Sequence, residues 1–361
     1  MMKEIPIEII EAFTGYGPLH EPAGTINAKP INGGLINHSY RISSEHKQDI
    51  LLQKINKNVF PRPDHVQENY MAIWEYLNAG PAGLQLPSPK RCSKGNTFMI
   101  DRNKNYWRAF DFIENSCMHP VAENPGQAND TSRAFARFTS SLIDFNTSHL
   151  YEVIPGFHNL SHRYSQFEEA LNGKSHEQTA IASPVIEELK QREQYKIFYE
   201  TIEGSSEFPL RVMHHDAKIA NVLFNSVSGK VICLVDFDTI MPGYFFSDLG
   251  DMIRSMACCE NEESDNFNNI CIRKDFYDSI VTGYLDVIGN QLTPAEKKHI
   301  HYSGLLMSYM QALRFLTDYL NGNVYYQTRY PDHNFIRAKN QLILLQKLED
   351  FLHKHYNFRH D

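Results

Sequence analysis

The stretch that most constrains this chain runs from Val212 to Gly250, VMHHDAKIANVLFNSVSGKVICLVDFDTIMPGYFFSDLG. Within it, His214-His215-Asp216 is followed five residues after the aspartate by Asn221, which fits H-x-D-x-x-x-x-N. Asp236 comes fifteen residues after Asn221, in Asp236-Phe237-Asp238, at the end of the apolar run Val231 to Val235. A second apolar run, Val222 to Phe224, and the turn Ser226-Val227-Ser228-Gly229 predict a hairpin that fixes this spacing. Phosphoryl transfer needs a carboxylate within hydrogen-bond reach of the acceptor hydroxyl, and divalent metal for the charged phosphates. A short loop carrying Asp216 and Asn221, with Asp236 arriving on the next strand, supplies both.

The motif resembles the catalytic loop and metal-binding loop of the aminoglycoside phosphotransferase and choline kinase superfamily, relatives of protein kinases. That resemblance implies an α+β, bilobal, protein-kinase-like fold with a small β-rich N-lobe and a larger helical C-lobe. It implies ATP as donor and Mg²⁺ as cofactor, Asp216 as the catalytic carboxylate, and Asn221 and Asp236 as metal ligands. One departure stands out: Asp238 occupies the place of the Gly in the D-F-G of protein kinases.

A chain of 361 residues accommodates one large or two modest domains. The net charge of −8, with no run of Lys or Arg, argues against a nucleic-acid surface but leaves room for a compact basic pocket for nucleotide phosphates. The six cysteines (Cys92, Cys117, Cys233, Cys258, Cys259, Cys271) show no C-x-x-C and read as buried free thiols. The start, MMKEIPIEIIEAF, has no signal-peptide core and no long apolar run follows, so the cytoplasm and no membrane partner are expected.

Two lobes are expected, 1–115 for nucleotide and 116–361 for catalysis and substrate. In the first, a short helix over Ile5 to Phe13 precedes AKPINGGLINHSYRI, two strand-like pieces around Gly33 and Gly34. Residues without Cβ permit the backbone to approach phosphates closely, so this glycine pair is a candidate nucleotide loop. No G-x-x-x-x-G-K-[ST] occurs, which excludes a Walker-type site. A third strand, DILLQKI, carries Lys54 near its end. The helix from Asp64 to Leu77 offers Glu68, or alternatively Glu75, as the carboxylate that such folds pair with the strand lysine. Strands Asn96 to Ile100 and Tyr106 to Ile113 follow, and Phe112 and Glu114 lead into the link between lobes, where main-chain groups are expected to meet adenine.

The remainder is helical by periodicity: Ser132 to Phe145, Tyr164 to Leu171, Pro184 to Ile202, Pro294 to Leu320 and Asn334 to His355. Thr293 with Glu296 forms a capping box, with Pro294 at the first helical position and Gly322 as the stop. Asp248 is expected to cap the helix after the D-F-D, with a contact to the catalytic loop as the rival reading.

Several segments look like the N-acetylhexosamine 1-kinase branch: GGLINHSYRI, LLQKINKNVFP, IPGFHN, VDFDTIMPG and RFLTDYLNGNVYY. The resemblance implies phosphorylation of the anomeric hydroxyl of GlcNAc or GalNAc, an amino-sugar substrate. It points to Arg314 and one of Tyr325 and Tyr326 as sugar contacts. Asp318 and Tyr319 share that region, and Arg314 and Asp318, four apart, also suit a surface ion pair. Asn37 and His38, just past the glycines, are further acceptor-side candidates. Other readings are a kinase of choline, ethanolamine or an aminoglycoside, and a non-catalytic nucleotide-binding protein. A cationic acceptor calls for acidic or aromatic surroundings, which Arg314 disfavours.

Overall fold

The computed structural model describes residues 5–16, 26–31, 36–44, 48–80, 84–173 and 176–358. Gly33 and Gly34 lie outside the described residues. The elements, in chain order, begin with α1 (Ile7–Tyr16), β1 (Ile26–Ile31), β2 (His38–Ser44), β3 (Ile50–Ile55), α2 (Pro63–Ala79), β4 (Phe98–Ile100), β5 (Tyr106–Asp111) and β6 (Ser116–Cys117). Helices α3 (Pro125–Ser141), α4 (Leu160–Leu171), α5 (His176–Lys190) and α6 (Gln194–Ile202) follow. Then come β7 (Arg211–Met213), β8 (Val222–Asn225), β9 (Val231–Leu234), β10 (Met241–Gly243) and α7 (Phe246–Met252). The chain ends with α8 (Lys274–Ile288), α9 (Pro294–Lys298), α10 (Tyr302–Leu320) and α11 (His333–Tyr356). The fold is α+β, with a small antiparallel-sheet lobe and a helical lobe of the protein-kinase-like type.

Two compact units arise from this order: Met1–Cys117 with Ser148–Ile154 and Leu223–Met241, and Met118–Thr147 with Pro155–Val222 and Pro242–Asp361. In the first, five strands form an antiparallel sheet in the order β1-β2-β3-β5-β4. Successive side chains of a strand alternate between faces, and here the two faces are covered differently. Leu52 lies opposite Ala109, and Lys54 opposite Trp107 and His38, so these residues share one face. Helix α1 covers it, burying Ile9 and Ala12 against Ile42, Leu52 and Trp107. Gln53, Arg108 and Phe110 point to the other face, where Tyr70 of α2 meets the Phe110 ring edge-on at 5.2 Å.

The second unit is built on α10, whose residues are almost all buried. It packs against α11, α7 and α4, while α3 packs along α8. Close approach of α7 to α10 requires Gly250, where a Cβ would lie 2.3 Å from the Ser303 carbonyl oxygen. A buried ion pair joins Arg211 of β7 to Glu296 of α9, and Glu296 also closes the capping box with Thr293. The helix expected from Pro294 to Leu320 is thus two, α9 and α10, with a break at residues 299–301. Similarly, the segment expected as one helix from Pro184 to Ile202 divides between α5 and α6. One expectation for the cysteines is corrected: Cys259 and Cys271 are bonded to each other, whereas Cys92, Cys233 and Cys258 are buried free thiols. Spacing alone carries no pairing signal here, because the bond closes a loop rather than a framework. Among the described residues, no helix is long and apolar enough to cross a membrane.

Candidate active site

The loop that carries Asp216, the candidate catalytic loop, leaves the fully buried β7 with His214 and His215. Both backbone N–H groups donate to Asp248, His214 to one oxygen at 2.9 Å and His215 to the other at 2.8 Å. Asp248 therefore holds the catalytic loop, and the expectation that it caps its own helix is corrected: no side chain caps α7. His215 sits in left-handed backbone with φ 64°. Its imidazole Nδ1 lies 2.8 Å from Ser247 Oγ and 3.1 Å from His158 Nδ1. Gly243 makes room for that ring, since a Cβ there would sit 2.5 Å from His215 Cε1.

Asp216 comes next, half-buried, with its carboxylate accepting from Lys218 Nζ at 2.9 Å and from Asn221 Nδ2 at 2.8 Å. Burial would raise its pKa, yet the Lys218 ammonium, the His214 side chain and the Asn221 amide hold it below the ordinary carboxylate value. It is ionised at neutral pH. Asn221 spends its amide N–H groups on Asp216, both the carboxylate and the main-chain oxygen. Its own Oδ1 is left as an oxygen donor for a cation.

In the other unit, Asp236 lies two residues past β9, in left-handed backbone with φ 64° and ψ 57°, and is exposed. Oxygen donors of this kind fit a hard divalent cation, and Mg²⁺ commonly uses only one or two protein groups. Among the described residues there is no cluster of three or more His, Cys, Asp or Glu for a softer or all-protein site. Asp238, two residues on, behaves differently. It is 3% exposed and forms an ion pair with Arg108, itself 3% exposed. Asn37 Nδ2 donates to the second Asp238 oxygen at 2.5 Å, and Asn37 Oδ1 accepts from the Asn56 amide at 3.0 Å.

Other candidates of the first unit separate by sheet face. Lys54 Nζ lies 3.3 and 3.2 Å from the Glu8 carboxylate oxygens, on the face that α1 covers. Glu68 is exposed on α2 and Glu75 pairs with Arg91 at 3.6 Å, so neither helix glutamate meets Lys54. The reason is strand alternation: α2 packs on the Phe110 side and Lys54 points the other way. His38, opposite Lys54, is exposed. Phe112 lies under the Arg41 guanidinium at 4.1 Å, and Glu114 accepts from Arg41 at 2.8 and 3.0 Å.

In the helical unit, Arg314 is 8% exposed and donates one hydrogen bond, to Gln311 at 3.0 Å. Its guanidinium lies 4.5 Å from the Phe157 ring centre and 5.6 Å from that of Tyr326. No ion pair with Asp318 forms. Asp318 instead accepts the backbone N–H groups of Val324, Tyr325 and Tyr326 and the Asn334 amide, at 2.8 to 2.9 Å. Tyr325 is half exposed, whereas the Tyr326 hydroxyl is buried with no hydrogen-bond partner among the described residues. Tyr319 packs on Phe335. Phe157 also stacks on His158 at 4.5 Å, and His158 reaches His215 of the catalytic loop. Phe157, His158, Ser247 and Arg108 were not singled out from the sequence, although Phe157 and His158 lie within the segment IPGFHN.

A family model described as "Phosphotransferase enzyme family" matches residues 27–273, more than half of the chain. The chain belongs to this phosphotransferase family. Asp216, Asn221 and Asp236 all lie inside the matched region. Solved structures with the same fold include an amicoumacin kinase in complex with AMP-PNP, Ca²⁺ and amicoumacin (12% identity, 94% of this chain and 93% of that one, TM-score 0.62). A microcompartment-associated aminopropanol kinase is 15% identical over 99% and 100% of the two chains, TM-score 0.60. A choline kinase from Cryptosporidium parvum Iowa II is 15% identical over 96% and 97%, TM-score 0.57.

Proposed function

We propose that this phosphotransferase transfers the terminal phosphoryl group of ATP, with Mg²⁺, to the anomeric C1 hydroxyl of a free N-acetylhexosamine, GlcNAc or GalNAc, giving the α-1-phosphate. The observation that carries the reading is Arg314, buried between Phe157 and Tyr326, with most of its N–H groups unspent among the described residues. A guanidinium in a fixed plane offers several donors to sugar hydroxyls or an acetamido oxygen. Aromatic faces and an unpartnered hydroxyl beside it suit a polar, uncharged acceptor. A quaternary or primary ammonium acceptor would meet a buried positive charge instead, which disfavours choline, ethanolamine and aminoglycosides. Tyr326 is the tyrosine of the pair assigned to this pocket, and His38 and Tyr325 are secondary candidates; Asn37, whose amide is engaged by Asp238 and the Asn56 N–H, is withdrawn from the acceptor side.

Asp216 orients the acceptor hydroxyl and takes its proton as the new P–O bond forms. Its depressed pKa keeps it ionised and ready to accept that hydrogen bond. Asn221 and Asp236 are assigned to the metal, which when bound offsets phosphate charge. Nucleotide contacts are assigned to Gly33 and Gly34, which lie outside the described residues, and to Phe112 and Glu114. Lys54 and Glu68 remain candidates singly, not as a pair.

The test is ATP and Mg²⁺ with a panel of N-acetylhexosamines, parent hexoses and amino alcohols, read by phosphorus NMR. The expected product carries phosphate on C1 of an N-acetylhexosamine. Phosphate on C6, or turnover confined to amino alcohols, overturns the assignment.

A further inference from the structure

The D-F-D sequence brings a second carboxylate next to Asp236, and the geometry around it gives that carboxylate another task. Asp238 has one oxygen taken by Arg108 and the other by Asn37. Arg108 is held in turn: its Nε donates to Gln53 Oε1 at 3.1 Å, and Gln53 Nε2 donates to Ser39 Oγ at 2.9 Å. The guanidinium plane is thereby tied to two strands before it reaches the loop. Asn37 ends the segment that contains Gly33 and Gly34, and it is fastened to the exit of β3 through the Asn56 amide. Directly after Asp236 the chain makes a single tight turn, Phe237–Thr239, that contains Asp238, with Phe237 against Tyr70 at 5.5 Å. Asn69 of α2 donates to the Ile240 carbonyl at 2.8 Å, closing the far side.

We propose that Arg108 is a positioning residue for the metal loop. Through Asp238 it sets the placement of Asp236 and joins Asn37, just before β2, to that loop. A buried ion pair is weak as a source of stability, because desolvation cancels most of the attraction; its use is to select one arrangement. Here the selected arrangement includes the left-handed backbone of Asp236, a conformation costly for a residue with a Cβ unless its surroundings hold it. Asp238, with both oxygens engaged, is not itself a metal ligand. The inference rests on the reading that Asp236 meets the metal–nucleotide complex.

The experiment measures Mg·ATP binding by calorimetry, with acceptor KM and thermal midpoint recorded alongside. Arg108→Met leaves Asp238 as a buried unpaired charge, so its loss of binding alone would be ambiguous. The double variant Arg108→Met/Asp238→Asn removes both charges. It is expected to melt near the wild type yet bind Mg·ATP about 10-fold or more weakly, the loss typical when a ligand's supporting partner is removed. Its acceptor KM stays within about twofold, since the change is confined to the nucleotide side. Asn37→Ser, which spares the ion pair, is expected to weaken Mg·ATP with the melting midpoint unchanged. Wild-type Mg·ATP affinity in the double variant and in Asn37→Ser overturns the proposal. So does tighter metal binding in Arg108→Met, which would make Asp238 a ligand released by the change. If the wild-type protein itself binds nucleotide with no metal dependence, the parent reading falls and takes this one with it.

Discussion

The Asp248 carboxylate receives the backbone N–H groups of His214 and His215, one on each oxygen, at 2.9 and 2.8 Å. Burial raises its pKa to about 7, against the lowering effect of those two N–H donors and with the nearby charges of Asp251 and Asp216 adding to the rise. An unfolded aspartate titrates at 3.8. Between those values the native protein holds a proton that the unfolded chain has released. Stability contributed by this group is therefore complete below pH about 4 and is lost as pH rises through about 7. Asp248→Asn removes the titration and sets an amide N–H against a backbone N–H. The stability advantage of wild type over that variant, from urea midpoints at pH 5 and pH 8, should shrink at the higher pH. An equal gap at both pH values would count against the raised pKa.

Asp216→Asn retains the size and the Asn221 neighbour but not the charge proposed to take the acceptor's proton. A fall in kcat of roughly 10²–10⁴ is expected, with ATP affinity nearly unchanged. Wild-type turnover on any accepted sugar would falsify the assignment.

Asp236→Ala removes an exposed oxygen donor two residues past β9. Activity should vanish, and calorimetry should show Mg·ATP binding reduced towards that of metal-free ATP. Equal binding of Mg·ATP to variant and wild type rules Asp236 out as the metal ligand.

Arg314→Ala and Arg314→Lys test the acceptor pocket together, because an ammonium cannot reproduce the planar fork of donors. Both should raise KM for sugar or lower kcat, with KM for ATP little changed. Tyr326→Phe deletes a hydroxyl that has no partner among the described residues. If that hydroxyl meets the sugar, the change costs about 1 kcal/mol or more in kcat/KM; otherwise it is neutral. Sugar kinetics unaffected by all three changes would remove the pocket from the acceptor site.

Asp318→Ala should act on stability first. It leaves three backbone N–H groups and the Asn334 amide without their acceptor. A loss of about 2–4 kcal/mol in unfolding free energy is expected from denaturant titration. No change in stability would mean that the loop after α10 finds other acceptors.

The sequence by itself determined the family, the α+β kinase-like fold, and the local geometry of the loop that carries Asp216 and Asn221. Asp216 and Asn221 are only five residues apart, so backbone geometry alone brings the amide to the carboxylate. The Thr293–Glu296 capping box was legible for the same reason, being complete within one helical turn. Tertiary structure decided the rest. Period-two alternation says that Gln53 and Lys54 face opposite ways, but not that α1 covers the Lys54 face and α2 the other. Hence Lys54 meets Glu8, 46 residues before it, and neither Glu68 nor Glu75. In the sequence Asp238 is only a departure from D-F-G, since its partners Arg108 and Asn37 lie 130 and 201 residues away. Helical spacing placed Arg314 and Asp318 on one face, yet burial separated their roles. The loop after α10 folds back to offer Asp318 three N–H groups, leaving Arg314 to the rings of Phe157 and Tyr326. Short-range order follows from the chain's own dihedral and spacing rules, whereas the partner of a buried charge is set by which distant element is packed against it.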